Sequence, residues 1–132
     1  MASLDSNVLV RYLVQDDEQQ FLLAKKLIRA AVRAGQTLYI PITVMLELEG
    51  VLRSNFKLSN VQVTSTLSAL LSSHELSFES ETAAEIALAL YVKGTADFAD
   101  CMHVALAHVA GEIPLWTFDR AAAKVDGAKL LV

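Results

Sequence analysis

Gly94-Thr95-Ala96-Asp97-Phe98-Ala99-Asp100-Cys101-Met102-His103 places two aspartates three residues apart at the head of a small and apolar run that continues to Ala110. The spacing predicts a helix with Asp97 at its N-cap and Asp100 in its first turn. A cap carboxylate takes up an orphan backbone N–H, and both charges favour the positive end of the helix dipole. The helix that follows is apolar around most of its circumference, which predicts burial. Carboxylates at the head of a buried helix need cations nearby, either basic side chains or metal. A metal at this helix end would require further acids that converge on it.

On its C-terminal side, Gly111 ends the helix and Pro114-Leu115-Trp116-Thr117-Phe118 reads as a buried strand that delivers Asp119 at its carboxyl end. A short helix to Val125 and a strand from Ala128 close the chain. On its N-terminal side, Ser80 or Glu81 opens a helix ending near Gly94, after a strand at Leu76-Ser77-Phe78. The chain begins with a strand, Ala2-Ser3-Leu4, that delivers Asp5; Ser6-Asn7 makes a turn into a short helix from Val8. Apolar residues at three and four predict a helix over 18–33, capped by Asp16 or Asp17 and ended by Gly35. Leu38-Tyr39-Ile40 is strand-like and stopped by Pro41. Thr43 caps a helix to Arg53, and Ser59-Asn60 caps another with Val61, Val63, Leu67, Leu70 and Leu71 as its buried stripe. This alternation predicts an α/β chain with a mainly parallel central sheet of about five short strands flanked by helices. Sites in such sheets form beyond the carboxyl ends of the strands, where Asp5 and Asp119 stand. Glu47 joins them as a fourth acid, on a stripe with positions 44, 48 and 51, whereas Glu49 should lie in solvent.

The 132 residues, 54% hydrophobic and 20% charged, predict one domain over 1–132 with a real core. No apolar run reaches the roughly 18–20 residues of a membrane span. A single cysteine, Cys101, and the lack of a recognisable signal peptide suit a reducing cytoplasm. The net charge of −4 argues against a partner bound through a basic surface alone. Four carboxylates facing one cavity call for a hard divalent cation with oxygen ligands, Mg²⁺ or Mn²⁺. Zinc does not fit, because the spacings of Cys101, His103 and His108 match no common zinc pattern.

Leu4-Asp5-Ser6-Asn7-Val8-Leu9, Glu47-Leu48 with Val51-Leu52, Asp97-Phe98-Ala99-Asp100 and Thr117-Phe118-Asp119-Arg120, in that order, resemble the PIN-domain family, and within it the VapC-type toxins of toxin–antitoxin pairs. The resemblance implies a single PIN-like domain acting as a Mg²⁺- or Mn²⁺-dependent endoribonuclease. It also implies a homodimer neutralised by a small cognate antitoxin, with tRNA, rRNA or mRNA as substrate. By motif position, Asp5, Glu47, Asp100 and Asp119 are catalytic, with Asp5, Asp100 and Asp119 as metal ligands and Glu47 a ligand or a base. Asn7, Thr117 and Asp97 are supporting residues, and Ser6 stands where Thr is common. Arg11 and Arg120 are candidate RNA contacts, since each lies close in sequence to a candidate ligand. The same carboxylates would serve another phosphoesterase or a DNA nuclease, and a binding module without catalysis would use them as caps and ion pairs. The Leu- and Val-rich helices around 43–56 and 59–71 are the candidate partner surface.

Overall fold

In the computed structural model, which describes residues 2–132, five strands of two or three residues each pair in parallel. They fall into two hydrogen-bonded groups. The order β1 (Ala2–Ser3), β2 (Leu38–Ile40), β3 (Leu76–Phe78) makes one, and β4 (Leu115–Thr117) with β5 (Ala128–Leu130) makes the other. The described residues divide at the same place in the chain, into a unit ending at Glu79 and a unit Ser80–Val132. Mixed α/β structure with parallel strands is what the alternating pattern predicts.

In the first unit, α1 (Ser6–Val14) packs on both α2 (Glu18–Arg33) and α3 (Ile42–Ser54), and α4 (Asn60–Leu71) packs on α3. Three of these four helix starts have a local cause. Asp5 is the N-cap of α1, its Oδ1 accepting from the Val8 N–H at 3.2 Å, so the helix begins at Ser6 and the Ser6-Asn7 turn is helical. Asp17 caps α2, and Gly35, at φ +69°, follows its end in the left-handed conformation a side chain would strain. Ser59 caps α4 in a reciprocal box with Gln62. Thr43 does not cap α3. Pro41 occupies that position without a side chain to offer, and the Glu79 carboxylate beyond β3 takes the Ile42 N–H at 3.0 Å. A long-range acid thus replaces the local cap.

The face that α3 buries is Met45, Leu48, Glu49 and Leu52, at i, i+3, i+4 and i+7. This corrects the expected orientation: Glu49 is 4% exposed, while Glu47 is exposed. Burial of Glu49 is tolerated because Arg53, one turn on, brings its Nε within 2.9 Å of Glu49 Oε2. In α4 the buried residues are Val63, Leu67 and Leu70; Val61, in the first turn, is 77% exposed and leaves the predicted stripe.

In the second unit, α5 (Glu81–Lys93) presents Ala83, Ala84, Ala87 and Tyr91 as its buried residues and packs on α6 (Phe98–Val109). Phe98, 1% exposed, meets Tyr91 edge-on, with ring centroids 5.3 Å apart at 73°. Burial of a side chain that size stabilises by about 1.5–3 kcal/mol, and the edge-to-face geometry by roughly 0.5–1.5 kcal/mol more. β4 is not the buried strand expected. Trp116 and Phe118 are exposed, Phe118 at 79%, and only Leu115 and Thr117 turn partly inward. A three-residue strand with one bonded neighbour covers too little surface to bury both of its faces. A single 3₁₀ turn, Ala122–Lys124, replaces the predicted helix after Arg120.

Candidate metal-dependent nuclease site

The first unit positions Asp5 and Glu47. Asp5 follows β1 and Leu4, so a strand's carboxyl end aims it, and its capping bond to Val8 holds one carboxylate oxygen. Glu47 stands in the second turn of α3, which begins just past the carboxyl end of β2. Its Oε1 accepts the Ser6 hydroxyl at 2.6 Å, a short charge-assisted bond from a serine that is 6% exposed. Ser6 therefore does for Glu47 what Asn7 was expected to do for the site: Asn7 is exposed and makes no side-chain hydrogen bond among the described residues. The signal was present, as a hydroxyl directly after Asp5, but nothing local says that it reaches residue 47.

The second unit positions Asp97, Asp100 and Asp119. Asp97 is at the N-cap of α6 with extended backbone, yet its side chain makes no capping bond. Its expected role as a cap is therefore positional only, and its charge acts elsewhere. Burial, followed by the charges of Asp97 and Asp119, holds the Asp100 carboxyl above its ordinary value, with His103 pulling the other way. Three carboxylates thus share one electrostatic neighbourhood. Asp119 lies beyond β4, where its Oδ1 accepts from the N–H groups of Ala121 at 2.8 Å and Ala122 at 3.3 Å. Thr117 supports it through the backbone: the Thr117 hydroxyl accepts from the Asp119 N–H at 3.0 Å.

Asp5, Glu47 and Asp119 share one design. Each spends one carboxylate oxygen on the fold, and among the described residues its other oxygen has no protein donor. An anchored carboxylate with a spare oxygen is suited to a hard cation, and a repelling group of acids is relieved by one. Carboxylate donors of this kind suit a divalent ion, although among the described residues no three His, Cys, Asp or Glu side chains already form a cage for one.

Of the basic candidates, Arg11 is committed within its own unit. Its Nη1 lies 3.1 and 3.2 Å from the two Asp16 oxygens, and its Nε donates to Gln20 Oε1 at 2.6 Å. Arg120, next to Asp119, is exposed.

The PIN domain family model matches residues 2–128. The chain belongs to the PIN domain family, whose members are generally metal-dependent nucleases that use divalent ions. No curated protein and no solved structure matches the chain. Among the described residues, no helix is long and apolar enough to cross a membrane.

Proposed function

We propose that the protein is an endoribonuclease, the toxin of a toxin–antitoxin pair, whose acids serve a Mg²⁺- or Mn²⁺-dependent hydrolysis of RNA. The observation that carries this reading is the one-oxygen anchoring of Asp5, Glu47 and Asp119. By motif position, Asp5, Asp100 and Asp119 are the residues that would hold a divalent ion, which would supply Lewis acidity and align a water with the scissile phosphate. Glu47, steadied by Ser6, would serve as a further ligand or accept the proton of the attacking water. Asp97 adds negative field at Asp100, which raises the affinity of the site for a cation. Arg120, exposed beside Asp119, is our candidate to meet a phosphate oxygen, and Arg11 is a second through the donors left after Asp16 and Gln20 are satisfied.

For the partners, a second copy and a small antitoxin, we add the exposed face of α2 to the helix around 59–71. The buried stripes of α3 and α4 are used inside the fold, whereas Leu22 and Val32 of α2 and Val61 of α4 are half or more exposed. These are the apolar residues we assign to partner contact. The test of function is sequencing of RNA ends after expression of wild type and of Asp5→Asn, with Mg²⁺ or Mn²⁺ supplied to the purified proteins. New ends with wild type alone support the reading, and identical profiles overturn it. Retained cleavage of DNA without cleavage of RNA would reassign the substrate.

A further inference from the structure

A cavity in the first unit, about 330 Å³, has Asp5 in its wall. Asn7, Arg11 and Gln20 supply its polar edge, and Leu23 and Leu27 of α2 its apolar side. That volume is at the small end of the roughly 300–1,000 Å³ of small-molecule pockets, room for one base and its sugar. Its polar groups are arranged in advance. Arg11 is held by Asp16 and Gln20, so its guanidinium is fixed before any ligand arrives, and Gln20, whose carbonyl is used by Arg11, keeps its amide donors. The geometry points to a nucleobase pocket: one unstacked base of the substrate, next to the scissile phosphate at Asp5, lies against Leu23 and Leu27 with its edge toward Arg11, Gln20 and Asn7.

This deepens the nuclease reading and rests on it. Single-stranded RNA is read by splaying a base out and bonding its edge. The surplus here is of donors, from the remaining Arg11 nitrogens and the two amides, so the favoured base presents paired acceptors on one edge. Guanine does so through O6 and N7, the pairing that arginine reads best. The pocket is then a specificity element, separate from the carboxylates that do the chemistry.

The experiment has two arms. In the first, wild type and Gln20→Ala cleave a randomised single-stranded RNA, and the bases beside each cut are counted. Wild type should enrich guanine at one position adjoining the cut. Gln20→Ala, which removes the amide and frees Arg11, should lower that enrichment by about 5-fold or more, the cost of one lost base contact. Wild-type cutting without base preference, or an enrichment that survives in Gln20→Ala, overturns the pocket while leaving the nuclease intact. In the second arm, guanosine 5′-monophosphate is titrated into each protein and followed by amide chemical shifts. Shifts centred on Asn7, Gln20, Leu23 and Leu27 in wild type, weakened in Gln20→Ala, support the pocket even if no RNA is cut, which would sink only the nuclease reading. Shifts elsewhere, or protection of those amides by a bound polypeptide in place of the nucleotide, overturn it.

Discussion

Ser6→Ala isolates the step by which the fold positions Glu47, an acid we assign to catalysis. The substitution deletes one buried hydroxyl whose Oγ lies 2.6 Å from Glu47 Oε1 and leaves the Asp5 cap and the α1 backbone in place. A hydrogen bond to a charged group is worth about 1.5–3 kcal/mol when its partner is left stranded. Glu47 is exposed, so water replaces the lost donor, and the stability cost falls to roughly 0.5–1.5 kcal/mol. The larger effect is on activity, because an untethered carboxylate samples several rotamers. Loss of such a supporting group costs about 10–100-fold in metal affinity or rate, which is about 1.4–2.7 kcal/mol. The assay is cleavage rate against Mg²⁺ or Mn²⁺ concentration, with urea unfolding alongside. Ser6→Ala should need more metal or turn over more slowly while remaining folded, and Ser6→Thr, which keeps the hydroxyl, should recover most of the loss. Wild-type metal dependence in Ser6→Ala, together with inactivity of Glu47→Gln, would refute the tether.

Four further outcomes are expected. Asp100→Asn should abolish metal-dependent cleavage, whereas Asp97→Asn should only weaken it; the reverse result in the same assay would exchange their roles. Asp100 also has a stability consequence: its folded carboxyl sits above its usual value, so its contribution is present at low pH and is lost as pH rises through the folded value. Asp100→Asn should therefore be no less stable than wild type at pH 7, with the difference closing in acid, as read from urea midpoints at both pH values. Gly127→Ala should destabilise by about 2–4 kcal/mol, since φ +101° disfavours a side chain and a new Cβ would stand 2.9 Å from Val104 Cγ1. Adding Val104→Ala should relieve the clash but not the backbone strain, and full additivity in the double-mutant cycle would count against that division. The Cys101 thiol is pushed up to about 11 by burial and then by the Asp100 and Asp97 charges, so thiol reagents at neutral pH should label it no faster than the protein opens.

What the sequence determined by itself was local in origin. Strand-length apolar runs, the Ser59 and Asp17 caps and the glycine after α2 are set by residues within a few positions, and they produced the alternating α/β order. The acids at strand ends and at the head of α6 were legible for the same reason: a strand's end and a helix's first turn are one-dimensional features. Tertiary structure alone decided which side of a helix faces inward. On α3 the sequence permits stripes at 44, 47, 48 and 51 or at 45, 48, 49 and 52; the packing of α1 and α4 on α3 selects the second and buries Glu49 with Arg53 beside it. Long-range pairs were equally beyond local reading. Glu79 reaches Ile42 and Ser6 reaches Glu47 across 37 and 41 positions of the chain, because parallel strands bring their carboxyl ends together. At Asp97 the first motif yields both lessons. The cap position was written in the sequence, but whether its carboxylate bonds the helix or stands as free charge beside Asp100 was settled only by the fold.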